Sequence, residues 1–206
     1  MSIHLLAMAG CARLLGITVR RITFGMGPRI VAVGRVRFCL VPVGGHVQVA
    51  TAADAPTGVP VHGALEGAAR WKRVLLPLSG PLALFGLGTL LLGRPALDQF
   101  IHAFPQIVGG ALSPLGKAQA LLHAVPGALR SLSILQILGV VACKFAAFNV
   151  LPFLGSNGLA AATAWLAQTT RNGPLAQRFQ AIVALPVALL LLAGWSLATV
   201  AFLVSR

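Results

Sequence analysis

Lys144 is the side chain whose type and place ask most of chemistry, because it is the one charge in the apolar run 131–151. A cation inside a membrane span is costly and usually faces a cavity or a partner. The simplest reading is snorkelling, or pairing with a polar neighbour. Other reactive types are sparse. The three cysteines, Cys11, Cys39 and Cys143, lie far apart with no CxxC, which argues against a disulfide framework or a thiolate zinc site and for small apolar packing residues. His46, His62, His102 and His123 have no ligand-like spacing to one another and read as loop or interface residues. The glycines and proline at 25–28 do not make a phosphate loop, since no lysine or helix-opening Ser/Thr follows them. Asn149 sits three residues before Pro152, where it could cap the break that a proline imposes.

These groups must be positioned by a chain that is 57% hydrophobic and 9% charged, with a mean hydropathy of +0.89. A soluble domain carries roughly a quarter charged residues, so the 206 residues read as a single domain spent inside a bilayer. The net charge is +13. Nucleic-acid binding would place arginines on a soluble face with aromatics between them. Here Tyr is absent and the cations crowd between two apolar runs, which fits the positive-inside rule and excludes nucleic acid as the partner. No cleavable signal peptide is expected, because the first cations, Arg13, Arg20 and Arg21, follow the first apolar stretch rather than precede it.

A spanning helix needs about 20 mostly apolar residues. Residues 74–93, 131–151 and 181–204 meet that length, and residues 1–19 form a weaker first helix, a full span or half of one. The fold class expected is an α-helical integral membrane protein with about four transmembrane helices and a small β-hairpin element after the first. That element, residues 20–50, alternates polar and apolar at Arg35-Val36-Arg37-Phe38 and is β-branched around Gly44 and Gly45. As a re-entrant or interfacial ribbon it would use Gly44 and Gly45 as a turn. Residues 51–67 read as a loop holding Asp54 and Glu66. Residues 94–130 read as interfacial or re-entrant pieces, broken at Pro105, Gly109, Gly110 and Pro114, and residues 168–177 as a polar connection. No internal repeat is present.

The cations set the orientation. Nine lie from the later part of the first helix to the start of the second: Arg13, Arg20, Arg21, Arg29, Arg35, Arg37, Arg70, Lys72 and Arg73. The 20–73 connection is therefore expected to be cytoplasmic, and membrane lipids are the surroundings.

Six stretches, in order, resemble the site-2 protease family of intramembrane zinc metalloproteases. His4-Leu5-Leu6-Ala7-Met8 followed by Ala12-Arg13-Leu14-Leu15-Gly16-Ile17 resembles its HExxH helix and the "LLG" after it. Phe24-Gly25-Met26-Gly27-Pro28 resembles its F-x-x-G-x-GP run, and Pro42-Val43-Gly44-Gly45-His46-Val47 its P-x-GG-x-V element. Ser79-Gly80-Pro81 is similar to the AGP-x-x-N segment, and the run from Asn149 through Pro152 to Asn157-Gly158 to N-x-x-P-x-P-x-LDG. The stretch after Gly93 is too short for the PDZ domain that many relatives carry.

The resemblance implies a catalytic zinc held by the two histidines of HExxH and the aspartate of LDG, with the glutamate as general base. Such a zinc wants three protein ligands and an open position for water. At these positions the chain carries His4, Leu5 for the base, Met8 for the second histidine and Asn157 for the aspartate. Leu5 cannot shuttle a proton, a loss worth about 10²–10⁴ in rate. Met8 offers a thioether, which suits copper better than zinc, and Asn157 a neutral carbonyl. The family's GP-segment asparagine falls on Leu84 and the second proline of the last motif on Leu154. His4, Leu5, Met8 and Asn157 are thus expected to be a vestigial site, with no cofactor, and zinc only if that reading fails.

Asn149, Pro152, Gly44, Gly45 and Lys144 remain as candidates for contacting substrate, and Lys144 could stand in for the missing metal charge. The expected function is a non-catalytic relative in a bacterial cytoplasmic membrane, binding transmembrane or membrane-proximal segments. Its partner would be a transmembrane substrate or an active protease relative. The alternatives are an active enzyme with atypical ligands or a longer true N-terminus, or a small channel or carrier.

Overall fold

The computed structural model describes residues 2–54, 61–166 and 177–205. It is mostly helical, with a small sheet after the first helix, and divides into two compact units, residues 1–83 and 84–206.

In the first unit, helix α1 (Ser2–Leu14) is about 20 Å long at 1.5 Å per residue, short of a hydrocarbon core of about 30 Å. It stops because Gly16 takes φ +76°, a conformation that glycine adopts without Cβ strain. The turn then closes on itself: Ile17 N–H donates to Ala12 O and Gly16 N–H to Arg13 O. This is the Schellman pattern, and its apolar partners Ala12 and Ile17 both enter the core with Ala9, Val19 and Leu76.

Strands β1 (Val19–Val33) and β2 (Val36–Val49) pair antiparallel. Their register breaks repeatedly, so that Ile22 pairs with both Val47 and Val36, Thr23 with His46 and Arg37, and Phe24 with Gly45 and Phe38. The start of β1 therefore occupies the middle of a locally three-stranded layer, and the ribbon expected over 20–50 is there but folded back on itself. Glycines allow the folding: Gly25, Gly27, Gly34, Gly44 and Gly45 all have positive φ.

Two 3₁₀ turns, Ala52–Asp54 and Leu65–Gly67, lie in the stretch read as a loop. Asp54 accepts from the backbone N–H and the hydroxyl of Thr51, both at 2.8 Å, and pairs with Arg20 at 2.9 Å. The Thr51 N–H and hydroxyl, then Arg20, hold its carboxyl below the usual carboxylate range. A depressed folded pKa means that this turn's contribution is present above the ordinary carboxylate pKa and lost as pH falls through the folded value. An NMR titration is expected to show the Thr51 amide and the Asp54 carboxyl shifting together at a pH below about 3.9, and Asp54→Asn to abolish the Thr51 response.

Helix α2 (Arg70–Leu92) begins in the first unit and contains Pro77 and Pro81. It starts four residues before the sequence expectation, with Arg70, Lys72 and Arg73 inside the helix, and ends where Gly93 takes φ +65°.

In the second unit, α3 (Pro95–Leu112) and α4 (Lys117–Ser131) replace the broken pieces expected over 94–130. Pro105 lies within α3 and costs it one hydrogen bond, while Gly109 and Gly110 are contact points rather than breaks. A Cβ on Gly110 would strike the Trp195 ring, and one on Gly109 would lie 2.7 Å from Lys117 Nζ. Helix α5 (Ile134–Val150) starts three residues later than expected because Ser133 and Gln136 form a capping box. It ends at Val150 because Pro152 drives Leu151 to ψ 138°. Gly88 and Gly139 let α2 and α5 pack closely: a Cβ on Gly88 would meet Cys143 Sγ, and one on Gly139 would lie 2.6 Å from Leu92. Cys143 is fully buried there, as a packing residue.

Helix α6 (Asn157–Leu166) follows. The last helix, α7 (Leu185–Val204), continues a π-helical turn at Gln180–Ala184, a local widening of the kind that accommodates the Pro186 ring. The polar connection expected at 168–177 lies outside the described residues except for Gln177.

Among the described residues two helical runs, Arg70–Leu92 and Gln177–Val204, are long and apolar enough to cross a membrane, while Ser2–Leu14 and Ile134–Val150 are shorter apolar helices.

Candidate functional site

The first unit brings four of the sequence-selected positions into one layer. Helical spacing puts His4 and Met8 on the same face of α1, one turn apart. His4 is 5% exposed and Leu5 1%, while Met8 is half-buried. The His4 ring lies directly on the bare backbone of α2: a Cβ built on Gly80 would sit 2.5 Å from Cε1 and 2.6 Å from Nδ1. Only glycine allows that approach, which explains the residue before Pro81. Beside it, Leu5 Cδ1 lies 2.6 Å from where a Cβ on Gly45 would be. Gly44 faces Met26 instead, with Sδ 3.1 Å from its notional Cβ.

The folded ribbon and α2 therefore close over the start of α1 from two sides. The chemistry there is limited. At the position where a general base would stand is a hydrocarbon side chain packed to near-complete burial, which can neither accept a proton nor bind a cation. The neighbouring donors are one imidazole and one thioether. In the second unit, Asn157 is the first residue of α6 and supplies an amide. Among the described residues no three His, Cys, Asp or Glu side chains gather. The residues at the motif positions do not fit a catalytic zinc, which needs three good ligands.

The remaining candidates lie in the second unit. Lys144 donates to Gln106 Oε1 at 2.7 Å, a polar partner on α3 that the sequence did not single out. Asn149 donates back to Phe145 O, one turn earlier in its own helix, at 2.8 Å, so its amide closes the last turn of α5. The cap after the break is Ser156, buried, whose hydroxyl accepts from Leu159 N–H at 3.0 Å. A serine three residues before a helical apolar run is a legible N-cap signal. Pro152 and Gly158 shape the turn, and a Cβ on Gly158 would collide with Val150 O.

His46, His62, His102 and His123 are exposed; His102 Nδ1 bonds Asp98 O at 2.8 Å, and the His123 ring packs edge-on to Phe202 at 5.0 Å.

A family model described as peptidase family M50 matches residues 2–194. No curated protein matches the chain.

Proposed function

The chain belongs to peptidase family M50, the site-2 protease family, and from that membership we propose that it is a non-catalytic member, a membrane protein that binds transmembrane or membrane-proximal segments. The observation that carries this reading is Leu5. It stands where the family places its general base, at 1% exposure, and Gly45 of the folded ribbon is fitted against it. A residue waiting to be replaced by an acid would not be packed so closely. Met8 and Asn157, at the other ligand positions, add a soft donor and a neutral one.

Membership implies a membrane setting, and the two long apolar runs agree with it. The reading completes the topology with α1 and α5 as the shorter membrane elements, four in all. It places the cation-rich 20–73 connection in the cytoplasm and the protein in a bacterial cytoplasmic membrane. Its partners are the surrounding lipids and a transmembrane protein, either a would-be substrate or an active protease of the same family.

Elemental analysis of tag-free protein purified in detergent tests the reading. Zinc well below one equivalent is expected, with unfolding unchanged by a chelator. Near-stoichiometric zinc that is lost in His4→Ala would overturn it and make the protein an active protease with an atypical ligand set.

A further inference from the structure

The face on which each ribbon residue lies follows from the register, because side chains alternate along a strand and cross-strand partners share a face. Val33, Val36, Ile22 and Val47 form one row across the ribbon, and Val31, Phe38, Phe24 and Gly45 form the next row of the same face. The Phe24 and Phe38 rings stack at 5.3 Å. The inner part of this apolar face is covered: Ile22, Val47 and Val49 pack against the core around Ala9, Ala12 and Leu76. The outer part is not. Val31, Val33 and Phe38 are exposed and carry the apolar face past its cover as a shelf.

The reverse face is cationic. Its row of Ala32, Arg37, Thr23 and His46 lies between the two apolar rows. Arg21 lies two residues before Thr23 on the same side, paired with Gln48, and Arg29 pairs with Cys39, two residues beyond Arg37. Arg37 therefore stands one strand over and two residues along from each of the other two arginines, about 8 Å away. The three form a diagonal across the outward face.

Their charges have no counter-ion in the unit. Residues 1–83 hold two acids, Asp54 and Glu66. Asp54 pairs with Arg20, and Glu66 accepts from the Ala52 N–H at 2.9 Å. Arg35 is spent inside the fold, donating from Nη1 to Val19 O at 2.8 Å. Arg21, Arg29 and Arg37 have neither an ion pair nor a side-chain hydrogen bond among the described residues. Three like charges at this spacing repel one another, and an array of anions relieves that repulsion.

We propose that the ribbon lies flat in the headgroup layer of an anionic membrane, with Val31, Val33 and Phe38 at the acyl boundary and Arg21, Arg29 and Arg37 on lipid phosphates. The two faces together select this occupant. An acidic protein or a nucleic acid would match the arginines and leave the shelf in water. A neutral apolar partner would cover the shelf and leave the cations uncompensated. A lipid leaflet offers both, because hydrocarbon and water are separated by a headgroup layer of only about 5–7 Å, within reach of the two faces of one sheet. Apolar burial and attraction to anionic lipid then act together, as they do for amphipathic helices at an interface. The inference rests on the family's membrane setting and not on whether the site is catalytic, which zinc content reports separately.

The test uses the full chain reconstituted in phosphatidylcholine vesicles with or without phosphatidylglycerol. An environment-sensitive dye is placed on Val33→Cys after the native cysteines are replaced by alanine. Quenching of the dye by brominated acyl chains is expected to be strong with phosphatidylglycerol and weaker without it. Arg21→Gln, Arg29→Gln and Arg37→Gln should each lower the apparent affinity for phosphatidylglycerol about fivefold, the worth of one cation at an anionic surface. Arg37→Lys should keep the response, which guards against a folding defect. Arg20→Gln should keep it too, since Arg20 is already paired with Asp54.

Quenching that is equal in the two kinds of vesicle and indifferent to the three glutamine variants overturns the proposal. So does a dye that the brominated chains do not reach, which would leave the shelf to water or to another protein. Equal losses in Arg20→Gln and Arg37→Gln also overturn it, because total charge and not this face would then govern the response.

Discussion

Leu5→Glu is expected to lower the stability of the folded protein by about 3–5 kcal/mol and to create no peptidase. On the reading proposed above, the substitution puts the family's base back at its position, so a site that lacked only the base would recover activity. Leu5 is packed without space for a carboxylate, and among the described residues no three His, Cys, Asp or Glu side chains gather. The leucine is 1% exposed, against Gly45 on the ribbon, so its replacement loses the burial of a leucine, about 1.5–3 kcal/mol. It also buries a carboxyl without a partner, for about 1–3 kcal/mol more. Burial favours the neutral acid, so the defect grows as pH rises above the ordinary glutamate pKa of about 4.3 and shrinks below it. Thermal unfolding in detergent across pH reads the stability, and cleavage of a labelled transmembrane peptide reads activity. Cleavage by Leu5→Glu at any rate above the parent would show that a metal is in place, and the non-catalytic reading would have to be abandoned.

Gly45→Ala and Gly16→Ala form a second test, in which two glycines with positive φ are expected to respond very differently. Gly16 has φ +76° and nothing within 4 Å of a notional Cβ, so alanine there meets backbone strain alone, about 1 kcal/mol. Gly45 has φ +143°, and its Cβ would fall 2.5 Å from Thr23 O and 2.6 Å from Leu5 Cδ1. Strain and overpacking then combine, at about 1–3 kcal/mol each, and the ribbon must move off α1. Denaturant unfolding in detergent should place Gly45→Ala at least about 2 kcal/mol below Gly16→Ala. The double variant Gly45→Ala/Leu5→Ala checks the contact directly: part of the Gly45→Ala loss should be recovered once Leu5 Cδ1 is gone. Equal losses at the two glycines would mean that the ribbon does not close over Leu5.

How far the site could be read in the sequence depended on whether the signal was local. The ends of α1 and α2 are written in their glycines, and the end of α5 in Pro152, because each acts through the backbone of its immediate neighbours. The start of α5 was equally local, in Ser133 and Gln136. Residues 94–130 misled for the opposite reason. Pro105, Gly109 and Gly110 are breakers by intrinsic preference, yet α3 runs through them, since packing can repay a lost hydrogen bond and the glycines are occupied by neighbours on α4 and α7.

The sequence by itself determined the family, the apolar character of the chain, the ribbon after the first helix and the residues at the motif-like positions, because each follows from residue type, order or period. Only the tertiary structure decided what surrounds those residues. That Gly80 admits the His4 ring, that Gly45 closes on Leu5, that Lys144 reaches Gln106, and that Ile22 pairs twice across a folded ribbon all join positions between 14 and 76 residues apart. No local preference encodes such pairs. They are fixed by which backbones can approach closely, and in this chain that is set largely by where glycine leaves room.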